Sequence, residues 1–235
     1  MKRIFYLLVA SLIVFPGYSQ KAEEYFDKGN AKFNLQDFIG AISEYNKAIE
    51  LNPKLIGSYF NRGSAKDNLH DYIGAITDYN KAIELKPDYT DAYINRGAVK
   101  VELQNFKGAL ADFNRAIKLD PVQPLAYFNR GIVKGNLQNF SGAIADLDRA
   151  IELSSYYEDA YIIRGLMKSK LQDIRGSMAD FDKAIELNPA NGLAYYNRGL
   201  TKIRSGQKDS GCLDLSKAGE LGYSEAYEAI KVYCQ

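Results

Sequence analysis

Six glycines, Gly29, Gly63, Gly97, Gly131, Gly165 and Gly199, recur every 34 residues without a slip. A fixed period of that size means one supersecondary unit copied in tandem, not a chain wrapped round a single core. In such an array each copy packs on its neighbours, and the product is an extended surface rather than a catalytic cleft. Other columns keep the same step: Tyr25, Tyr59, Tyr93, Tyr127, Tyr161 and Tyr195 before each glycine, and Ala48, Ala82, Ala116, Ala150, Ala184 and Ala218 after it. Pro53, Pro87, Pro121 and Pro189 close four of the copies.

Each copy reads as an antiparallel helix pair. Between residues 56 and 89, Tyr59, Gly63 and Ala65 fall on one helical stripe, and Ala75, Ile76, Tyr79, Ala82 and Ile83 repeat at the spacing of a second buried face. Asn68-Leu69-His70-Asp71 supplies the turn between them, with Asp71 placed to N-cap the second helix. Asp37, Asn105, Asn139 and Asp173 hold the equivalent place. Gly and Ala where the helices cross allow close backbone approach, and the prolines stop each second helix.

This pattern of aromatic, Gly, small residues and terminal Pro resembles the tetratricopeptide repeat (TPR) family over roughly residues 22–225. The resemblance implies an all-α, right-handed α-solenoid of tandem helix-turn-helix units. The units are expected at 22–55, 56–89, 90–123, 124–157, 158–191 and 192–223, followed by a capping helix at 224–235. Repeat six departs from the pattern, with Lys208, Gly211 and Gly219 replacing an aromatic, an alanine and an isoleucine, as befits a terminal copy.

Lys2-Arg3, an apolar run from Ile4 to Phe15, and Pro16-Gly17-Tyr18-Ser19 have the form of a secretory signal peptide over residues 1–19. A membrane anchor is the weaker alternative, because the run falls short of the roughly 20 residues that span a bilayer. The expectation is export to the periplasm or envelope of a Gram-negative-type bacterium, with no stable membrane insertion once the signal is removed. Without Lys2 and Arg3 the 30 basic residues become 28 against 29 acidic ones, a net charge of −1. That balance argues against nucleic acid as a partner.

Cys212 and Cys234 lie on either side of the Gly222-Tyr223 turn at similar distances, so antiparallel helices would bring them level. In an oxidising compartment a disulfide is the favoured reading, and two reduced, buried thiols the alternative. Arg62 and Lys66, with their sisters in the later repeats, face Asp78, Asp112, Asp146, Asp180 and Asp214. An ion-pair ladder between paired helices explains that register, and an anion-binding ridge is the competing reading.

The TPR resemblance places the functional surface on the first helices, which line a concave groove in that family. Candidate peptide-binding residues there are Phe60, Asn61, Ile94, Asn95, Phe128, Asn129, Tyr196 and Asn197. An Asn amide both donates and accepts, so a ladder of them could hold an extended backbone beside an apolar column. Equally, Asn before Arg-Gly could be a framework feature of the repeat. The carboxylate clamp of some TPR proteins is not expected, because the matching positions Phe26, Asn30, Asn61, Asp91 and Asn95 lack its basic members.

No catalytic constellation, cofactor motif or metal-ligand set stands out, so no enzyme is expected; the one histidine, His70, falls in a turn. The expected function is an exported protein-interaction scaffold docking a partner peptide or helix. A purely architectural solenoid in an envelope assembly and a cell-wall glycan-binding module are the alternatives.

Overall fold

The computed structural model describes residues 16–235; the basic start and apolar run of the expected signal peptide, residues 1–15, lie outside the described residues. Among the described residues there are thirteen α-helices and no strand. They follow as pairs: α1 (Pro16–Asn34) and α2 (Phe38–Leu51), α3 (Ile56–Asn68) and α4 (Tyr72–Leu85), α5 (Thr90–Glu102) and α6 (Phe106–Leu119). Then come α7 (Pro124–Asn136) and α8 (Phe140–Leu153), α9 (Glu158–Lys170) and α10 (Ile174–Leu187), α11 (Gly192–Arg204) and α12 (Lys208–Glu220), with α13 (Glu225–Tyr233) last. Two compact units meet inside α5, one ending at Val99 and the other starting at Lys100. Within each, every helix packs on the next in the chain, α1 through α4 in the first and α6 through α13 in the second. That is the tandem helical-repeat, α-solenoid plan.

The turn inside each pair is built from two devices. Gln36, His70, Gln104, Gln138 and Gln172 all adopt φ between 55° and 62°, the left-handed conformation that ends a first helix. The next residue then caps the second helix: Asp37, Asp71, Asn105, Asn139 and Asp173 accept the backbone N–H of Gly40, Gly74, Gly108, Gly142 and Gly176 at 2.9–3.0 Å. Those glycines form a second 34-residue column. A Cβ on Gly142 would sit 2.6 Å from the Asn139 amide nitrogen, so glycine leaves the capping side chain room in this rotamer.

The first glycine column serves helix crossing. A Cβ on Gly63 would stand 2.9 Å from the Tyr79 ring, and one on Gly165 2.8 Å from Phe181. The absence of a side chain lets the largest second-helix residue lie against the first-helix backbone. Tyr45, Tyr79, Phe113, Leu147, Phe181 and Leu215 fill that place and are wholly buried. Ser58 and Ser177 stand where four of the five sister repeats carry alanine, and their buried hydroxyls have no hydrogen-bond partner.

Arg130 shows how the charged columns are used. Its Nε and one terminal nitrogen donate to both Asp146 oxygens at 2.8 and 2.6 Å, while the other terminal nitrogen donates to Asn114 Oδ1 of the preceding pair at 2.7 Å. Lys134 adds a contact to Asp146 at 2.7 Å, and the guanidinium lies over the Tyr127 ring at 5.5 Å. Arg62, Arg164 and Arg198 repeat this with Asp78, Asp180 and Asp214, and reach back to Asn46, Asp148 and Asp182. One planar fork therefore ties three helices, a geometry lysine cannot supply. The charged columns are an ion-pair ladder, and the basic ridge is not a free anion site.

At the carboxyl end, Cys212 of α12 and Cys234 beyond α13 are joined, with Sγ atoms 2.01 Å apart. Ala226 and Ala229 of α13 are buried against the last pair, and Lys208 donates to the Gln235 carbonyl at 3.2 Å.

Candidate functional site

The amide column divides by what lies beneath it. Tyr45 and Tyr79 are buried phenols, and buried hydroxyls require partners. The Tyr45 hydroxyl donates to Asn30 Oδ1 at 2.9 Å, and the Asn61 amide of the next repeat donates to the same oxygen at 2.7 Å. The Tyr79 hydroxyl meets Ser64 Oγ at 3.2 Å, with the Asn95 amide also bonded to it. Burial pushes both phenols up to about 12, opposed by these hydrogen bonds. Asn61 and Asn95 are thus committed to the tyrosine of the repeat before.

From Phe113 onward the second-helix position carries no hydroxyl. The residue after each central glycine changes with it, from Asn30 and Ser64 to Ala98, Ile132, Leu166 and Leu200. Asn129 and Asn197 keep the amide but have no phenol to serve. Asn197 bonds the Leu193 carbonyl of its own helix at 2.9 Å, and the Asn129 side chain has no hydrogen-bond partner among the described residues.

The apolar candidates are divided too. Ile94 is 2% exposed and packs inside the repeat stack. Phe60, Phe128 and Tyr196 are half-buried and pair with Tyr89, Tyr157 and Tyr223 at centroid distances of 4.9, 4.6 and 4.8 Å. Each ring pair fastens a first helix to the residue leading into the following helix. Burial pushes Tyr157 up to about 12, and the Asp159 carboxylate adds to this.

In the second unit α9 touches both α7 and α11, so three first helices lie side by side. Residues at i, i+3, i+4 and i+7 share one stripe of each. On α7 these are Leu125, Phe128, Asn129 and Ile132; on α9 Asp159, Ile162, Ile163 and Leu166; on α11 Leu193, Tyr196, Asn197 and Leu200. Leu125 and Asp159 are exposed, Ile162 is buried and the rest are half-buried. The matching stripe of the first unit reads Gly57, Phe60, Asn61 and Ser64, then Asp91, Ile94, Asn95 and Ala98. Its side chains are smaller at Gly57, Ser64 and Ala98, where the second unit has Leu125, Ile132 and Leu166, and each stripe holds one carboxylate, Asp91 or Asp159. Ile132, Leu166 and Leu200 were not among the candidates drawn from sequence, although the alanine-to-leucine change down their column is visible there.

His70 occupies the left-handed turn at φ 61° and its Nδ1 lies 2.9 Å from the Tyr72 hydroxyl. Among the described residues no group of His, Cys, Asp and Glu side chains is placed to hold a metal ion.

Tetratricopeptide repeat family models match residues 29–66, 70–104, 96–168, 158–191 and 181–212. No curated protein matches the chain. Among solved structures, YrrB, described as a TPR protein with an unusual peptide-binding site, is 25% identical with a TM-score of 0.64, covering 80% of this chain and 97% of its own. The crystal structure of MamA is likewise 25% identical, with a TM-score of 0.63 over 70% of this chain and 96% of its own. A tetratricopeptide repeat protein from Parabacteroides merdae, 22% identical, covers 91% of this chain and 84% of its own with a TM-score of 0.69. With the 34-residue columns, the paired helices and these matches in agreement, the chain belongs to the tetratricopeptide repeat family.

Proposed function

We propose that this protein is an exported interaction scaffold that docks a segment of a partner protein on the first-helix face of α7, α9 and α11. The observation that carries this is the apolar stripe of Ile132, Ile163, Leu166 and Leu200, laid beside an Asn129 amide with no hydrogen-bond partner among the described residues. Half-buried aliphatics gain about 25 cal/mol for each Å² removed from water, and an unspent amide can bond a peptide backbone. The 25% identity to a protein described by its peptide-binding site supports the same reading.

Export is part of the proposal. The amino-terminal pattern and the Cys212–Cys234 bond both suit an oxidising compartment. No helix among the described residues is long and apolar enough to cross a membrane. The test is a crosslinked capture from the cell envelope with the wild type and an Ile132→Asp, Leu166→Asp variant, each checked for its helical melt. Partner loss in a folded variant supports docking, and undiminished capture overturns it. Recovery of the chain, still starting at residue 1, from the cytosolic fraction overturns export.

A second reading has one observation in its favour. In the first unit Leu35, Ile39, Leu69 and Ile73 are exposed at the turn end of the helix pairs, Leu35 at 80%. Such an edge suits an architectural role, in which that edge rather than the first-helix stripe is covered. Substituting all four by serine would then dissolve the assembly while leaving stripe-dependent capture intact.

A further inference from the structure

At the turn end of the fifth and sixth repeats, Ser169, Gln172, Ile174 and Arg204 line a cleft of about 370 Å³. Arg204 is the last residue of α11, and its column runs directly on from the Leu193, Tyr196, Leu200 stripe. Lys170 follows the cleft residue Ser169, and Arg175 follows Ile174; all three cations are exposed. They differ from the ladder cations, each of which meets an acid or an amide. Among the described residues Lys170, Arg175 and Arg204 have no ion pair, hydrogen bond or ring contact.

Two of them have an ordinary structural explanation. Lys170 and Arg204 end their helices, where a cation complements the carboxyl-terminal dipole. Arg175 has none. It sits in the first turn of α10, where the dipole disfavours positive charge, and the neighbouring Asp173 carboxylate is committed to the Gly176 N–H at 2.9 Å. A cleft with Arg204 in its wall, two further exposed cations next in sequence to its lining residues, and the α11 stripe ending at that arginine have a defined complement.

We infer that the partner segment is amphipathic and acidic at one end: its apolar residues cover Ile132, Leu166 and Leu200, and a carboxylate enters the cleft against Arg204. This rests on the docking reading above and adds its orientation and charge. Lys170 and Arg175 supply the surrounding positive field, which draws an acidic segment in and fixes its direction. Arg204 can grip a carboxylate by two parallel N–H bonds, whereas Gln172 and Ser169 add neutral donors.

The test uses the full mature chain and a random 15-residue peptide library displayed on phage. The wild type is expected to enrich peptides with two or three aliphatic or aromatic residues at helical spacing and Asp, Glu or a free carboxyl group at one end. A synthetic copy of the leading sequence should bind the wild type more weakly as salt rises from 50 to 300 mM, and at 50 mM should bind about tenfold more weakly to Lys170→Glu, Arg204→Glu. Replacing its acids by lysine should restore binding to that doubly substituted protein. Peptides bound equally by the wild type and the charge variant, yet lost with Leu166→Asp, would overturn the acidic anchor and leave docking standing. No enrichment, or binding indifferent to Leu166→Asp, would overturn both.

Discussion

Single residues carry more of this fold than their small size suggests, and two of them are imperfect. Ser58 and Ser177 bury hydroxyls with no partner at places where four of the five sister copies use alanine. An unmet buried hydroxyl costs about 1–3 kcal/mol, so Ser58→Ala should stabilise the protein by about 1 kcal/mol, read as a higher urea midpoint at unchanged slope. Tyr79 has the opposite character: its hydroxyl is met, but only while protonated. Burial holds its folded pKa at about 12, above the ordinary phenol value of 10.0, so its contribution is complete below pH 10 and is lost as the pH climbs towards 12. Tyr79→Phe should therefore flatten the loss of stability between pH 10 and 12, measured by urea unfolding at stepped pH, and a variant as alkali-sensitive as the wild type would refute that origin. The glycine, tyrosine and alanine columns were legible because each acts within its own copy. The bond from Asn61 to Asn30 and Tyr45 was not, since it depends on a residue of one copy lying over the helices of the copy before it.

At the scale of the helix, order comes from the turns as much as from the apolar faces. Five of the six internal turns place a non-glycine residue in left-handed backbone, and the sixth uses Gly206 at φ 88°. Holding glutamine there costs roughly 1 kcal/mol relative to glycine. Gln138→Gly should recover most of that, about 0.5–1 kcal/mol by denaturant unfolding, whereas the same change at Gln123, where φ is −92°, should not stabilise. The cap residues could be read from sequence because Asp and Asn before an apolar run have one common use. The glycine column at Gly40, Gly74, Gly108, Gly142 and Gly176 is equally regular, but its purpose shows only once a Cβ is placed beside the capping side chain. The candidate stripe was half visible for a related reason. Phe128, Asn129, Tyr196 and Asn197 stand out by residue type, while telling a committed amide from an unspent one requires knowing whether a phenol lies underneath.

For the whole molecule, tandem packing makes stability a sum of neighbouring terms, so unfolding should begin at an end. The Cys212–Cys234 bond closes a sequence separation of 22 residues at the carboxyl end. A loop of that size is worth roughly 3 kcal/mol. Cys234→Ser should lower the melting temperature and speed amide exchange in α12 and α13 while leaving α7 to α9 little changed; uniform faster exchange throughout would contradict end-first opening. The arginine forks have a different consequence. Arg164 reaches back 16 residues to Asp148, and Arg130 by the same step to Asn114. Excising residues 124–157 in frame would remove one whole period and present Asn114 to Arg164, an acceptor of the same reach at the same height. Genes of this design can thus gain or shed 34 codons at a time without orphaning a single guanidinium, and length becomes a trait that recombination can adjust while every junction stays chemically complete.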